Sequence, residues 1–352
     1  MQPVPLILVG NQINTNQQNG REPLADSAPR RDYVEIAQKL EGTLAGYDLY
    51  DATWYQWARR IQKQVRLDFV EATYAVSQST KHNVVYSTSE KVAIPLAAFL
   101  SITQREIPHI VMAHKLSSGF KASLFRIWPL HKSYYYIISD CRTQVDYAIN
   151  QLGMPESNVE FVYHGVDHRF YHPLNVEVDD YILAVGQEQR DYKTLLQALS
   201  GTGIKLVIVP SSPWSTSKIH TDQIGETTVL GHVSYRELRA LYARARLVVV
   251  PLFDVDYAAG NTTLLEAMAM AKPVIVSRIS GITDYVVPNE TGVYVSPGDA
   301  IELRNTILSI WDCPAEHNRL GANARQMVEE CMNLDVNVDR IVEITCKVIN
   351  CA

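Results

Sequence analysis

The stretch AAGNTTLLEAMAMAKPVIVS, Ala258–Ser277, decides how this chain is read. It joins a turn of small residues to an apolar helical run and then, across Lys272-Pro273, to the β-branched run VIVS. Gly260 permits close approach of the backbone to a neighbour. Asn261 reads as the helix N-cap. The amides of Thr262, Thr263 and Leu264 then point out of a helix start, where unpaired N–H groups and the helix dipole favour an anion. Leu264, Leu265, Met268 and Ala271 cover the other faces, and one acid, Glu266, interrupts them a turn after Thr262. A carboxylate in such a helix is costly unless it has partners. Two ribose hydroxyls are one possible set of partners, and a salt bridge to a nearby Arg is the other.

The pattern around this stretch is repetitive. Short runs that are apolar on both faces (PLILVG at 5–10, HNVVYST at 82–88, HIVMAH at 109–114, YYYIIS at 134–139, VEFVYHG at 159–165) alternate with helical patterns at 32–40, 60–76 and 142–153. The segment FYHPLNVEVDD (170–180) has no periodicity and reads as a linker. A second series follows: DYILAVG (180–186), KLVIVP (205–210), TTVLGHV (227–233), RLVVVPLF (246–253), PVIVS (273–277) and ETGVYVSP (290–297), with helices between, and helical patterns run from 300 to the C-terminus. Strands apolar on both faces that alternate with helices predict parallel sheets in two doubly wound α/β halves. Such sheets bind ligands beyond the carboxyl ends of their strands.

The bulk properties agree. A chain of 352 residues suits two domains better than one core. The net charge of −6 supplies no basic field for nucleic acid. Five cysteines, at 141, 313, 331, 346 and 351, lack metal-ligand spacing and read as reduced thiols of a cytosolic protein. PVPLILVG lacks a basic flank and a cleavage site, so it reads as a strand. No apolar run approaches the ~20 residues that cross a bilayer.

Three further junctions of the second half carry suggestive residues. Gly186 ends a strand and is followed by Arg190 and Lys193 near a helix start, where cations hold phosphate oxygens or are ordinary surface charges. Gly231, His232 and Val233 end another strand, where backbone groups can meet a planar base, or form a tight turn with a surface His. Ser234 and Glu237 have capping-box spacing. Gly281 precedes the last helix start of the group. Asp254-Val255-Asp256 is a competing D-x-D that could hold a divalent ion.

The run GNTTLLEAMAMAKPVIVSRISGITDYVVPNETGVYVSPGD resembles the donor-binding region of family-4 retaining glycosyltransferases of GT-B architecture. HGVDHRFYHP, ILAVG with its cationic turn, VLGHVSYRELRALYARARLVVVP and NARQMVEE follow the family's order, and the likeness is strongest over about 159–330. The resemblance implies two Rossmann-like domains facing a cleft: 1–173 on the acceptor side, a linker at 174–180, 181–335 on the nucleotide-sugar side, and a final helix, 336–352, crossing back. It implies that Glu266, the second Glu of the E-x(7)-E motif, holds the ribose. Arg190 would bind the diphosphate, and His114 would touch the donor sugar. Gly186, Lys193, His232, Val233, Gly260, Asn261, Thr262 and Thr263 complete the implied donor site. Two positions depart from the motif: Ala258 replaces the first Glu, and Gln187 replaces an Arg. Asp254 or Asp256 is a candidate source of the missing carboxylate.

The implied activity is transfer of a hexose-type sugar from a nucleotide diphosphate sugar to an acceptor hydroxyl, with retention, without a metal and without a further cofactor. The acceptor, a saccharide, a lipid-linked compound or a small molecule, is not specified. The polar loop at 10–32 is suitably placed to shape its site. GFKASLFRIWPLHKS (119–133) mixes Phe120, Phe125 and Trp128 with Lys121, Arg126 and Lys132. It is either a peripheral contact on the inner face of a membrane or a core helix with a cationic outer side. The alternatives for the whole chain are a nucleotide-sugar epimerase and a non-catalytic nucleotide-sugar-binding partner subunit of the same fold.

Overall fold

The computed structural model describes residues 3–10, 27–47, 62, 67–210 and 226–351. Most of the polar loop expected at 10–32, and residues 60, 61 and 63–66 of the helix expected at 60–76, lie outside the described residues. The chain divides into two compact units, one built around Arg30–Tyr163 and Asp335–Ala352, the other around His164–Leu334. The segment HGVDHRFYHP therefore belongs to the second unit from His164 onward, and 174–180 lies inside that unit.

The first unit holds a parallel sheet in the order β2-β1-β3-β4-β5-β6. Its strands are β1 (Leu6–Leu8), β2 (Thr43–Ala45), β3 (Val85–Ser87), β4 (His109–Met112), β5 (Tyr136–Ser139) and β6 (Val159–Phe161). Helices α1 (Asp32–Lys39), α2 (Phe69–Ser77), α3 (Glu90–Thr103), α4 (Gly119–Ile127) and α5 (Arg142–Asn150) lie between them. β1, β3, β4 and β5 are buried along their whole length, the pattern of a parallel sheet covered on both faces. β2 and α3 are additions to the sequence reading. α3 carries Pro95 in its interior, which removes the N–H that would bond the carbonyl of Lys91. That carbonyl accepts instead from the amide of Asp68 at 2.9 Å, so the helix continues without an orphaned group.

The second unit has a parallel sheet in the order β12-β11-β10-β7-β8-β9. Its strands are β7 (Tyr181–Val185), β8 (Lys205–Val209), β9 (Thr227–Val229), β10 (Leu247–Val250), β11 (Val274–Ser277) and β12 (Val293–Val295). α6 (Tyr192–Leu199), α7 (Tyr235–Arg244), α8 (Asn261–Ala269), α9 (Ala300–Trp311) and α10 (Pro314–Met327) complete it. Leu195, Ile208, Val249, Ile275, Ile307 and Leu320 join both layers in one buried cluster. The final helix, α11 (Leu334–Cys351), packs in the first unit from Asp335 onward. It is tied there by Arg30 to Asp335 at 2.8 Å and by Asn337 to the carbonyl of Tyr163 at 2.6 Å.

Both sheets are doubly wound, since strand order reverses beside a central strand. In the first, the reversal falls between β1 and β3. In the second, it falls between β7 and β10, which pair through Leu247 with Ile182 and Val248 with Leu183. The loops leaving the carboxyl ends of β7 and β10 are therefore brought together by topology.

Candidate functional site

The loop after β7 begins at Gly186 with φ +95° and holds Gln189 at φ +55°. It is fastened to the strand ends around it. The amide of Gly186 donates to Val209 at 2.9 Å, that of Phe253 to Gln189 at 3.0 Å, and that of Asp191 to Pro251 at 3.0 Å. Asp191 then caps α6 by accepting from the Thr194 amide at 3.0 Å. A loop held on both sides presents its side chains at fixed positions.

Arg190 occupies the centre of this loop. Its Nε donates to the carbonyl of Val185 at 2.9 Å, Nη1 to that of Glu188 at 2.7 Å, and Nη2 to Thr263 Oγ1 at 3.1 Å. A guanidinium has five N–H donors, so these bonds leave two for a ligand. The group fits because both neighbouring turns lack a side chain. A Cβ on Gly186 would stand 2.6 Å from Nη2, and one on Gly260 would stand 3.3 Å from Nη1. Burial lowers the pKa of Arg190, against Tyr192, Tyr242 and Glu188; the group remains a cation.

α8 starts beside it. Gly260, at φ +84°, is the N-cap, and its carbonyl accepts the first helical bond from Leu264 at 3.0 Å. This corrects the sequence reading of Asn261 as the cap: Asn261 is the first helical residue, and its Oδ1 accepts from the Thr262 amide at 2.7 Å. The cap must be Gly because a left-handed φ is required there and because Val250 and Leu252 close in on the Cβ position. Glu266 lies buried one turn inside, and its Oε2 accepts from the hydroxyl of Tyr242 at 2.9 Å. This tyrosine, from α7, is a partner beyond the Arg or ribose hydroxyls expected from the sequence.

Gly186, Arg190, Gly260 and Thr263 thus converge within contact distance, with Asn261 and Thr262 on the same helix start and Glu266 behind them. Lys193 is exposed on the first turn of α6. His232 is exposed and Val233 half-buried in the loop after β9, at the edge of the sheet. The capping box of Ser234 and Glu237 is formed. Gly281 is needed for packing: a Cβ there would fall 2.0 Å from the backbone of Tyr257. Asp254 and Asp256 are exposed on the loop after β10, and Ala258 is buried. Among the described residues, no group of three or more His, Cys, Asp or Glu side chains is placed to hold a metal ion.

His114 belongs to the first unit. β4 ends at Met112, so His114 stands in the following loop and not, as the sequence reading had it, at the strand end. Its Nδ1 lies 3.1 Å from Asp140 Oδ2. Burial disfavours the imidazolium, but Asp140 and then Glu90 outweigh it and raise His114 to about 9. Glu90 accepts from the Lys115 amide at 2.6 Å and from Lys121 Nζ at 3.1 Å. Burial acts to raise the Glu90 pKa, but Lys121, His114 and the backbone bonds reverse this and lower it.

Some polar residues had no signal in the sequence. Asp68 is fully buried near the carboxyl end of β1, with Tyr47 donating to its Oδ1 at 3.0 Å and Lys91 at 3.2 Å. Tyr257 donates to Glu188 at 2.9 Å. In 119–133, Phe125 is a core residue set edge-on to Tyr134, which removes it from the proposed membrane face. Phe120 (68%), Ile127 (84%) and Trp128 (37%) are exposed, as are Arg126 and Lys132. Among the described residues, no helix is long and apolar enough to cross a membrane.

Residues 174–327 match the family model described as Glycosyl transferases group 1. The glycogen synthase of Mycobacterium tuberculosis is 29% identical over 150 residues, 42% of this chain and 34% of its own length. The D-rhamnosyltransferase WbpZ of Pseudomonas aeruginosa is 31% identical over 134 residues, 37% of this chain and 35% of its own. The chain therefore spans about a third of the length of these curated relatives. Among solved structures, sucrose-phosphate synthase from Thermosynechococcus elongatus superposes with a TM-score of 0.74 at 16% identity, covering 100% of both chains. HepE from Anabaena, solved with UDP-glucose, superposes with a TM-score of 0.69 at 14% identity, covering 98% of this chain and 99% of its own. Both likenesses show the fold alone: a two-unit α/β chain of GT-B architecture.

Proposed function

We propose that the second unit binds a nucleotide diphosphate sugar at the β7–β10 switch point, and that the protein is a retaining glycosyltransferase moving a hexose-type sugar to an acceptor hydroxyl without a metal. The observation that carries the reading is Arg190, seated between two glycines and bonded to Thr263 at the start of α8. As the bond from the anomeric carbon to phosphate breaks, negative charge grows on the diphosphate. Arg190 and the first amides of α8 are preorganised to stabilise that charge. Glu266 takes the ribose hydroxyls, and Gly186, Lys193, His232 and Val233 complete the donor contacts. The departing phosphate oxygen takes the proton of the acceptor hydroxyl, which attacks from the same face. The match of 174–327 to a glycosyltransferase family supports this reading.

The test is a thermal-shift panel of UDP, GDP, ADP and their sugar conjugates, with EDTA and with magnesium or manganese. UDP heads the panel because HepE was solved with it. A ligand at a hundredfold excess over its dissociation constant stabilises by about 2.7 kcal/mol. A shift that survives EDTA and disappears in Glu266→Ala supports the donor site; a shift only with metal, or none, overturns it.

Ala258 and Gln187 favour a second reading, a nucleotide-sugar-binding subunit without turnover, since neither supplies the charge that the motif carries at its position. A transfer assay with the donor that binds separates the two. For the acceptor side, we propose peripheral contact with an anionic membrane through Phe120, Ile127 and Trp128, flanked by Arg126 and Lys132. Co-sedimentation with vesicles containing phosphatidylglycerol checks it, and Phe120→Ser/Ile127→Ser binding as well as wild type would sink it.

A further inference from the structure

The donor site as described supplies positive charge and N–H groups, which suit phosphates. A sugar needs acceptors for its hydroxyls, and Ala258 offers a buried methyl group. The loop after β7 carries an exposed carboxylate, that of Glu188, besides the capping Asp191. Glu188 is exposed, two residues before Arg190, and its own carbonyl accepts from Arg190 Nη1 at 2.7 Å. The same peptide therefore sets the positions of the cation and the acid. The carboxylate is also oriented: the hydroxyl of Tyr257, whose residue is 6% exposed, donates to Glu188 Oε1 at 2.9 Å. Tyr257 is in turn fixed, because the backbone of Gly281 packs against its peptide.

An exposed acid beside a diphosphate site is out of place if it serves only the phosphates, since like charges repel. It is in place if it meets the part of the ligand that carries O–H donors. An ionised carboxylate is an acceptor only, with two oxygens able to take adjacent hydroxyls. Orientation by a buried phenol spares the entropy of fixing a long side chain on binding.

We propose that Glu188 reads the hydroxyl groups of the transferred sugar, and that Tyr257 is its positioning residue. This assignment rests on the donor reading above. Glu188 takes the role that the sequence reading gave to Asp254 or Asp256.

The experiment compares Kd for a nucleoside diphosphate with Kd for its sugar conjugate, by calorimetry, on wild type, Glu188→Gln and Tyr257→Phe. The probe pairs are UDP with UDP-glucose, GDP with GDP-mannose and ADP with ADP-glucose. In Glu188→Gln the diphosphate is expected to bind within about twofold of wild type, while the conjugate weakens about tenfold, the loss of one charge-assisted hydrogen bond. Tyr257→Phe, with Glu188 intact, is expected to move the ratio of the two constants in the same direction by about threefold. An unchanged ratio in Glu188→Gln overturns the proposal and leaves the donor site standing. Failure of wild type to bind any of the pairs overturns the donor site, and the proposal with it.

Discussion

The hydroxyl of Tyr242 donates to Glu266 Oε2 at 2.9 Å, with Tyr242 fully buried and Glu266 nearly so. Burial, and then the carboxylate, raise the phenol's pKa well above its usual value, so it stays a donor at every ordinary pH. Tyr242→Phe removes the donor and leaves the carboxylate in place. The expected loss is about 1 kcal/mol of stability, the net worth of one hydrogen bond. Urea denaturation measures it, and a change below about 0.5 kcal/mol would show that Glu266 is satisfied without this bond. Under the donor reading, the variant should also weaken nucleotide binding, because the Tyr242 hydroxyl helps orient the carboxylate.

Arg190 predicts a non-conservative outcome for a conservative change. Three of its nitrogens bond to Val185, Glu188 and Thr263 along different directions. Lysine has one nitrogen and cannot span them. Arg190→Lys is expected to abolish the nucleotide-induced thermal shift almost as fully as Arg190→Ala, and each should cost about 2 kcal/mol of stability. A lysine variant with wild-type nucleotide affinity would show that only the charge matters.

His114 and Asp140 make a pH prediction. The folded pKa of His114 is raised to about 9, above the ~6.5 of an unfolded chain. The imidazolium therefore stabilises the fold fully below about pH 6.5, and the contribution is lost as pH rises through about 9. Asp140→Asn removes the leading attraction and leaves the burial, so the midpoint should fall by more than one unit, with Glu90 still facing the ring. Histidine ring resonances followed by NMR from pH 5 to 10 report it directly. A midpoint unchanged in Asp140→Asn would assign the shift to Glu90 instead.

What the sequence disclosed, and what it did not, divides on physical lines. Strands such as YILAV and VIVS are apolar on both faces, so the parallel sheets were legible. Ser234 and Glu237 form a local capping box, and local rules sufficed to find it. β2 is not legible in the sequence because three residues at a sheet edge carry almost no pattern. Side-chain preference favours Asn261 as the cap, but the left-handed φ and crowding at residue 260 give that place to Gly. The partners of the site residues were hidden for a different reason. Tyr242 lies 24 residues from Glu266, and Tyr257 lies 69 from Glu188. No periodicity links such pairs; only the return of β10 to the side of β7 does.

Gly281 tests how tightly the site loop is packed. Its missing side chain makes room for the backbone of Tyr257 and the amide of Ala258. Backbone cannot move aside as a flexible side chain can. Gly281→Ala is expected to cost about 1–3 kcal/mol and to displace Tyr257 from Glu188. The loss should appear in urea denaturation and as a weaker preference between nucleotide and conjugate. A variant as stable as wild type would mean that the loop after β10 yields readily.

The end of α8 predicts a gain in stability. The amide of Ala271 donates to Met268 at 3.0 Å and that of Lys272 to Ala267 at 3.0 Å, the bond pair of a Schellman ending. The residue at its left-handed position is Ala271, at φ +54°, where glycine is the usual occupant. A side chain there costs about 1 kcal/mol in the folded state, while glycine costs less than that in lost chain entropy. Ala271→Gly should therefore stabilise by roughly 0.5 kcal/mol and raise Tm by about 1–2 °C. Gly321 supplies the opposite control. A Cβ there would fall 2.1 Å from the Ala271 carbonyl, so Gly321→Ala should destabilise by about 1–3 kcal/mol. If Ala271→Gly lowers Tm, the methyl group contributes packing that outweighs its backbone strain.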